Sequence, residues 1–141
     1  MPDATLPEFQ SYRKLAIYQK TKILIKEVYR ITKQMPSSET YNLVSQINRA
    51  VVSILLNIVE GHRKRDSQKE FYRFLTIADG SIAEVEACLD IGNFLGFISQ
   101  SDYQHVESLR SEFAIMLKGF MKKLRSNILI CYLLSVICVL I

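Results

Sequence analysis

Between Gln46 and Glu86 the chain reads QINRAVVSILLNIVEGHRKRDSQKEFYRFLTIADGSIAEVE, two apolar-periodic segments joined by a short basic turn. Apolar residues recur at steps of three and four in both segments, and no proline follows Pro36, so both read as helices folded back on each other. Each also carries polar residues at helical spacing: Gln46, Arg49, Ser53, Asn57 and Glu60 in the first, and Glu70, Arg73, Ser81 and Glu84 in the second. An ordinary amphipathic helix turns such a stripe toward water. Here Leu43, Ile47, Val51, Ile54, Leu55 and Ile58 crowd most of the first helix. Its polar stripe is therefore expected to meet the second stripe or a neighbouring subunit.

Arginine offers a planar fork to a carboxylate, and asparagine can both donate and accept. Arg49, Asn57, Glu60, Ser81 and Glu84 are accordingly expected to form a buried polar seam that fixes helix register more than it adds stability. In that seam Arg49 should pair with Glu84 or Glu60, within one bundle or across subunits.

The flanking sequence extends the same pattern. Helix 1 is expected from Phe9 or Gln10 to Lys33, burying Leu15, Ile17, Leu24, Val28 and Ile31. Pro36 ends it, and Ser37 or Ser38 can cap helix 2, which should run to Glu60 and stop at Gly61. Ser67-x-x-Glu70 is a capping box for helix 3. Gly80 inside that helix should cost about 1 kcal/mol relative to alanine, which close approach of helix 2 would offset. Helix 4 opens at Ser101-Asp102, with Val106, Leu109, Phe113, Met116, Leu117, Phe120 and Leu124 on its inner face. Long helices with short connections predict an all-α, antiparallel up-down-up-down four-helix bundle. It would occupy residues 1–125, with residues 126–141 as an apolar tail.

Charge is unevenly placed along the chain. Met1 to Leu75 holds 13 Lys and Arg against 7 Asp and Glu, whereas Thr76 to Ile141 holds 5 against 7. Lys22, Lys26, Arg30 and Lys33 form a stripe along helix 1, and Arg63, Lys64 and Arg65, with Lys69 and Arg73, crowd the helix 2–3 turn. Such surfaces are either solvated faces or sequence-independent, salt-sensitive contacts to phosphates. No recognition helix-turn-helix, aromatic RNA-binding block or zinc knuckle accompanies them.

Catalytic signals are weak. Glu60, Glu70 and Glu84 could serve as acid or base, and Glu60-x-His62 could begin a metal site. The chain has only two histidines, no Glu-x-x-His pair, no Gly-rich phosphate loop and no Cys-x-x-Cys, so neither enzyme chemistry nor a metal or cofactor is expected. Cys88, Cys131 and Cys138 fit neither a metal spacing nor an even disulfide framework and are expected as reduced, buried thiols. The N-terminal sequence lacks a basic-then-apolar secretory pattern, and a cytoplasmic location is expected.

The run Gln46-x-x-Arg49-Ala50-x-x-Ser53-Ile54-x-x-Asn57-Ile58-x-Glu60-Gly61 resembles the signature of the bacterial four helix bundle protein family, also known as the 23S ribosomal RNA intervening-sequence protein family. Glu70-Phe71 to Phe74-Leu75, then Ala78-x-Gly80-Ser81-x-x-Glu84, fits it too, as do Tyr29 and the segment Met35-Pro36-x-x-Glu39-x-Tyr41-x-Leu43. The resemblance covers about residues 9 to 124. It implies the bundle fold but no defined biochemical activity. The family is similar in fold to the accessory variability proteins of diversity-generating retroelements, which form pentameric barrels with basic surface toward nucleic acid. That likeness implies a homo-oligomer, a pentamer, with structured RNA or a ribonucleoprotein as partner.

The tail departs from the resemblance, whose members tend to end with helix 4. Ile128 to Ile141 reads ILICYLLSVICVLI, and Lys122, Lys123 and Arg125 stand just before it. Fourteen residues rise about 21 Å as a helix, short of a roughly 30 Å hydrocarbon core. Three readings stay open: a membrane anchor with a basic flank, an extension of helix 4 at a subunit interface, or an extension with no selected role. The sequence thus predicts a non-enzymatic oligomeric scaffold for RNA. The alternative is an oligomeric protein-interaction module, membrane-attached through the tail.

Overall fold

The computed structural model describes residues 11–140, with side chains through Val139. It contains α1 (Ala16–Thr32), α2 (Leu43–Arg63), α3 (Gln68–Phe94) and α4 (Gln100–Leu140), with 3-10 turns at Tyr12–Lys14 and Ser37–Glu39. Among the described residues there is no strand. Each helix packs on two neighbours, α1 on α2 and α4, α3 on α2 and α4, and the α2–α3 interface is the most extensive.

Residue pairings give the directions. Thr32, at the end of α1, bonds Asn48 near the start of α2, while Tyr12 lies edge-on to His62 near the end of α2. Gln46 and Glu84 pair across α2 and α3, as do Arg110 and Glu86 across α4 and α3. Arg30 near the end of α1 reaches Asp102 near the start of α4. Neighbouring helices therefore run antiparallel.

The core follows the three-four rhythm. Ile47, Val51, Ile54 and Ile58 of α2 interlock with Leu75, Ala78, Ile82, Val85 and Leu89 of α3. Leu24, Val28, Val106, Phe113 and Leu117 close the remaining sides. Among the described residues α2 alone is long and apolar enough, by length and composition, to cross a membrane. Part of that apolarity, Ile47, Val51, Ile54 and Ile58, lies in the bundle's core, while Leu56 is exposed.

Several boundaries differ from expectation. The anticipated start of helix 1 at Phe9 or Gln10 lies outside the described residues, and α1 proper begins after the 3-10 turn. Helix 2 starts at Leu43, because Asn42 breaks helical geometry with φ −115° and ψ −109°. The Leu43 amide is instead met by the Glu39 carboxylate at 3.5 Å. At the other end α2 continues through Gly61 to Arg63. The box at α3 forms through its serine, whose Oγ accepts from the Glu70 amide at 3.3 Å.

Gly61 and Gly80 exchange their expected roles. A Cβ on Gly80 would meet nothing within 4 Å, so no close approach occurs there. A Cβ on Gly61 would lie 2.8 Å from the Phe71 ring and 2.9 Å from Phe74 Cβ. Gly61 is a position of close α2–α3 approach, rather than a helix terminator.

The last core residue of α4 is Leu124. The helix then continues to Leu140 with every described side chain exposed except the half-buried Ile128. Cys131 and Cys138 are exposed on this extension, and only Cys88 is buried, contrary to the expectation for all three thiols.

Candidate functional site

The polar stripes of α2 and α3 meet only in part. Ser53 and Ser81 hydroxyls bond at 2.9 Å, and the Asn57 amide donates to the Ser53 carbonyl at 2.8 Å and to Ser53 Oγ at 3.2 Å. Gln46 donates to Glu84 at 3.4 Å near the other end of the stripe. Burial reaches Ser81 but not Glu60 or Glu84, so this is a half-open seam rather than a buried one.

Arg49 does not join it. The residue is exposed and has no carboxylate within 4 Å among the described residues, which overturns its pairing with Glu84 or Glu60 inside the bundle. Glu60 binds Lys64 at 3.5 Å instead. Arg49 lines an open groove of about 490 Å³ with Tyr29, Asn48, Val52, Leu56 and Asn57. Leu56 is 61% exposed there. On α3, Ile77 is also exposed and Gly80 presents bare backbone. Tyr29, Asn48 and Leu56 were not among the expected site residues. Their convergence depends on α1 lying beside α2, which no local spacing reveals.

The basic residues divide between two locations. The α1 stripe runs lengthwise, with Lys22, Lys26 and Lys33 exposed. Among the described residues none of these three has a carboxylate within 4 Å. Arg30 does, holding Glu27 at 2.8 Å and Asp102 at 2.7 Å. Its guanidinium keeps both carboxyls below the usual range, chiefly through these hydrogen bonds. Arg30 is thereby a strut between α1 and α4.

Arg63, Lys64 and Arg65 lie at the α2–α3 turn. Arg65 donates to the His62 carbonyl at 2.9 Å, and Lys64 rests over the Phe74 ring at 4.8 Å. Arg63 is exposed with no carboxylate within 4 Å among the described residues. The turn occupies the same end of the bundle from which α4 departs. Phe71 packs edge-on against Phe120 at 5.5 Å, and Tyr72 shares a shallow pocket with Lys118, Lys122 and Arg125. The sequence placed these two basic groups in separate segments, and the fold joins them.

Among the described residues no three His, Cys, Asp or Glu side chains converge as a metal site.

Residues 13–119 match the family described as 23S rRNA-intervening sequence protein. A similar solved structure is that of a protein of unknown function from the S23 ribosomal protein family of Bacteroides thetaiotaomicron. It shares 21% identity and a TM-score of 0.69, covering 76% of this chain and 99% of its own. No curated protein matches the chain.

Proposed function

The chain belongs to the 23S rRNA-intervening sequence protein family, and from that membership and the geometry above we propose a non-enzymatic scaffold that self-associates and binds structured RNA or a ribonucleoprotein. The observation that carries the RNA reading is the set of exposed cations without carboxylate partners among the described residues: Lys22, Lys26, Lys33 and Arg63. Lys64 and Arg65 stand beside Arg63 and extend it. Cations already neutralised by a neighbouring carboxylate gain little from a phosphate, whereas unpaired ones release counterions on binding. Contacts of this kind position a phosphodiester backbone without reading bases.

Self-association is supported by the outer face of α2, where Tyr29, Leu56 and the unpaired Arg49 lie together. A carboxylate of a neighbouring copy would complete Arg49. A ring of five copies is the assembly that the resemblance to retroelement accessory proteins suggests. The protein would act inside the cell.

Fluorescence anisotropy with a structured RNA tests the reading. Affinity should fall roughly tenfold or more between about 50 and 200 mM salt. A variant with Lys22, Lys26, Arg63, Lys64 and Arg65 changed to Gln should lose binding. Equal affinity of variant and parent, or no binding at low salt, overturns it.

A further inference from the structure

We propose that the α4 extension inserts into a lipid bilayer carrying anionic headgroups, with the basic end of the bundle seated on the phosphates. The inference goes beyond the RNA-binding scaffold and does not depend on it.

The family match stops at Gly119, and α4 runs on to Leu140. Beyond Leu124, among the described residues, every side chain but the half-buried Ile128 is exposed. Leu129, Ile130, Leu133, Leu134 and Ile137 are each more than half exposed. At 100° per residue, Leu129, Leu134 and Val139 point to widely separated sides, so no charged face is left opposite an apolar one. A partner helix covers a single stripe. A second copy would therefore leave much of this apolar surface in water, whereas hydrocarbon covers every side. Helices that are apolar all round belong in a core or a membrane.

The extension also meets what hydrocarbon requires of polar groups. It holds no Asp, Glu, Lys or Arg after Arg125. Its backbone is helical throughout the described range, and Ser135 Oγ donates to the Tyr132 carbonyl at 2.7 Å. Polar groups satisfied within the segment carry no penalty in lipid. Tyr132 lies about 10 Å beyond Arg125 along the helix, a depth at which a phenol can return its hydroxyl to the interface. The rise from Ile128 to Leu140 is about 18 Å, enough to cross one leaflet of roughly 15 Å.

The charge around the exit point is complementary to such a surface. Lys122, Lys123 and Arg125 precede the extension, and the packing of Phe120 on Phe71 brings the α2–α3 turn, with Arg63 and Lys69, to the same end. Glu60 and Glu70 also lie near this end, but they are taken by Lys64 and Arg73, and Asp79 lines the pocket that holds Lys118, Lys122 and Arg125. Asp66 is the exposed acidic residue in the turn. Toward the opposite end, residues 26–49 and 80–110 carry five Lys and Arg against seven Asp and Glu, with Asp102 and Glu107 held by Arg30 and Arg110. The bundle is thus polarised along its axis, basic where the apolar helix leaves. Each cation held near an anionic headgroup surface strengthens association several-fold.

The test is flotation of the full chain with vesicles of phosphatidylcholine alone and with about a third phosphatidylglycerol. Binding should be at least roughly tenfold tighter to the anionic vesicles, and that preference should fall several-fold when Lys122, Lys123 and Arg125 become Gln. Leu134→Glu with Ile137→Glu should abolish binding to both, while circular dichroism reports an intact bundle. The chain has no tryptophan, so Leu134→Trp supplies a single depth probe. A blue-shifted spectrum quenched by brominated lipid supports insertion. A fully aqueous spectrum, or vesicle binding untouched by the Glu substitutions, overturns it. So does a tail-dependent oligomer without vesicle binding, which would make a second copy the occupant.

Discussion

Gly61 of α2 and Phe71 of α3 approach so closely that a Cβ on the glycine would stand 2.8 Å from the ring. The second neighbour, Phe74 Cβ at 2.9 Å, is fixed to the α3 backbone and cannot rotate away. Gly61→Ala should therefore push the two helices apart and cost about 1–3 kcal/mol. Gly80→Ala meets empty space and should stabilise by about 0.5–1 kcal/mol through helix propensity. Thermal unfolding should show opposite shifts for the same chemical change.

The reason these roles could not be assigned from the sequence is physical. Periodicity fixes which side of a helix is buried, and it located Val28, Ile47, Val51, Ile54, Ile58, Val106 and Leu117, all fully buried in the fold. It does not fix the height at which two helices touch, which decides whether Gly61 or Gly80 lies at the contact. The same gap hid the partner of Arg30, since Asp102 is 72 residues away. It also hid the meeting of the α2–α3 turn with the α4 exit. The serine cap of α3 was legible because its donor and acceptor are three residues apart. Cys131 and Cys138 were misplaced because apolar neighbours in sequence imply burial only where a bundle reaches them, and this one ends at Leu124.

Arg30 separates structural from binding cations. It holds Glu27 and Asp102 together, so it has little charge to offer a phosphate. Arg30→Gln should leave RNA affinity within about twofold, whereas Lys26→Gln should weaken it by a few-fold and reduce the salt slope by roughly one contact. Anisotropy titrations of the two variants across salt would read this difference directly.

His62 gives the bundle a pH response. Its ring is buried, edge-on to Tyr12 at 6.4 Å and Phe71 at 6.1 Å. Burial, then the nearby Arg65 charge, holds its pKa below the ordinary value. The unfolded chain, with the ordinary value of about 6.5, takes up the proton first. Stability is therefore full above about pH 6.5 and declines as pH falls toward the depressed folded value. The lowered carboxyls of Glu27, Glu70 and Asp102 act below their ordinary unfolded values, in a more acidic window. Melting temperature should drop from about pH 7 to 5. His62→Phe should flatten that slope.

Arg49 has incomplete surroundings in a single chain. It is exposed in a groove that also displays Leu56 and Tyr29, and no carboxylate of the described residues reaches it. Inside one bundle its removal should change little, so Arg49→Ala should keep the melting temperature within about 0.5 kcal/mol of stability. At an interface with another copy the same change would strip a central cation from an apolar surround and cost about 2 kcal/mol, roughly thirtyfold in association. Light scattering over a dilution series distinguishes the two. A shift toward smaller species with unchanged unfolding places the α2 face in the assembly, and Arg49→Glu should deepen it by repelling the carboxylate that Arg49 would otherwise meet. Unchanged mass for both variants would remove this face from any oligomer.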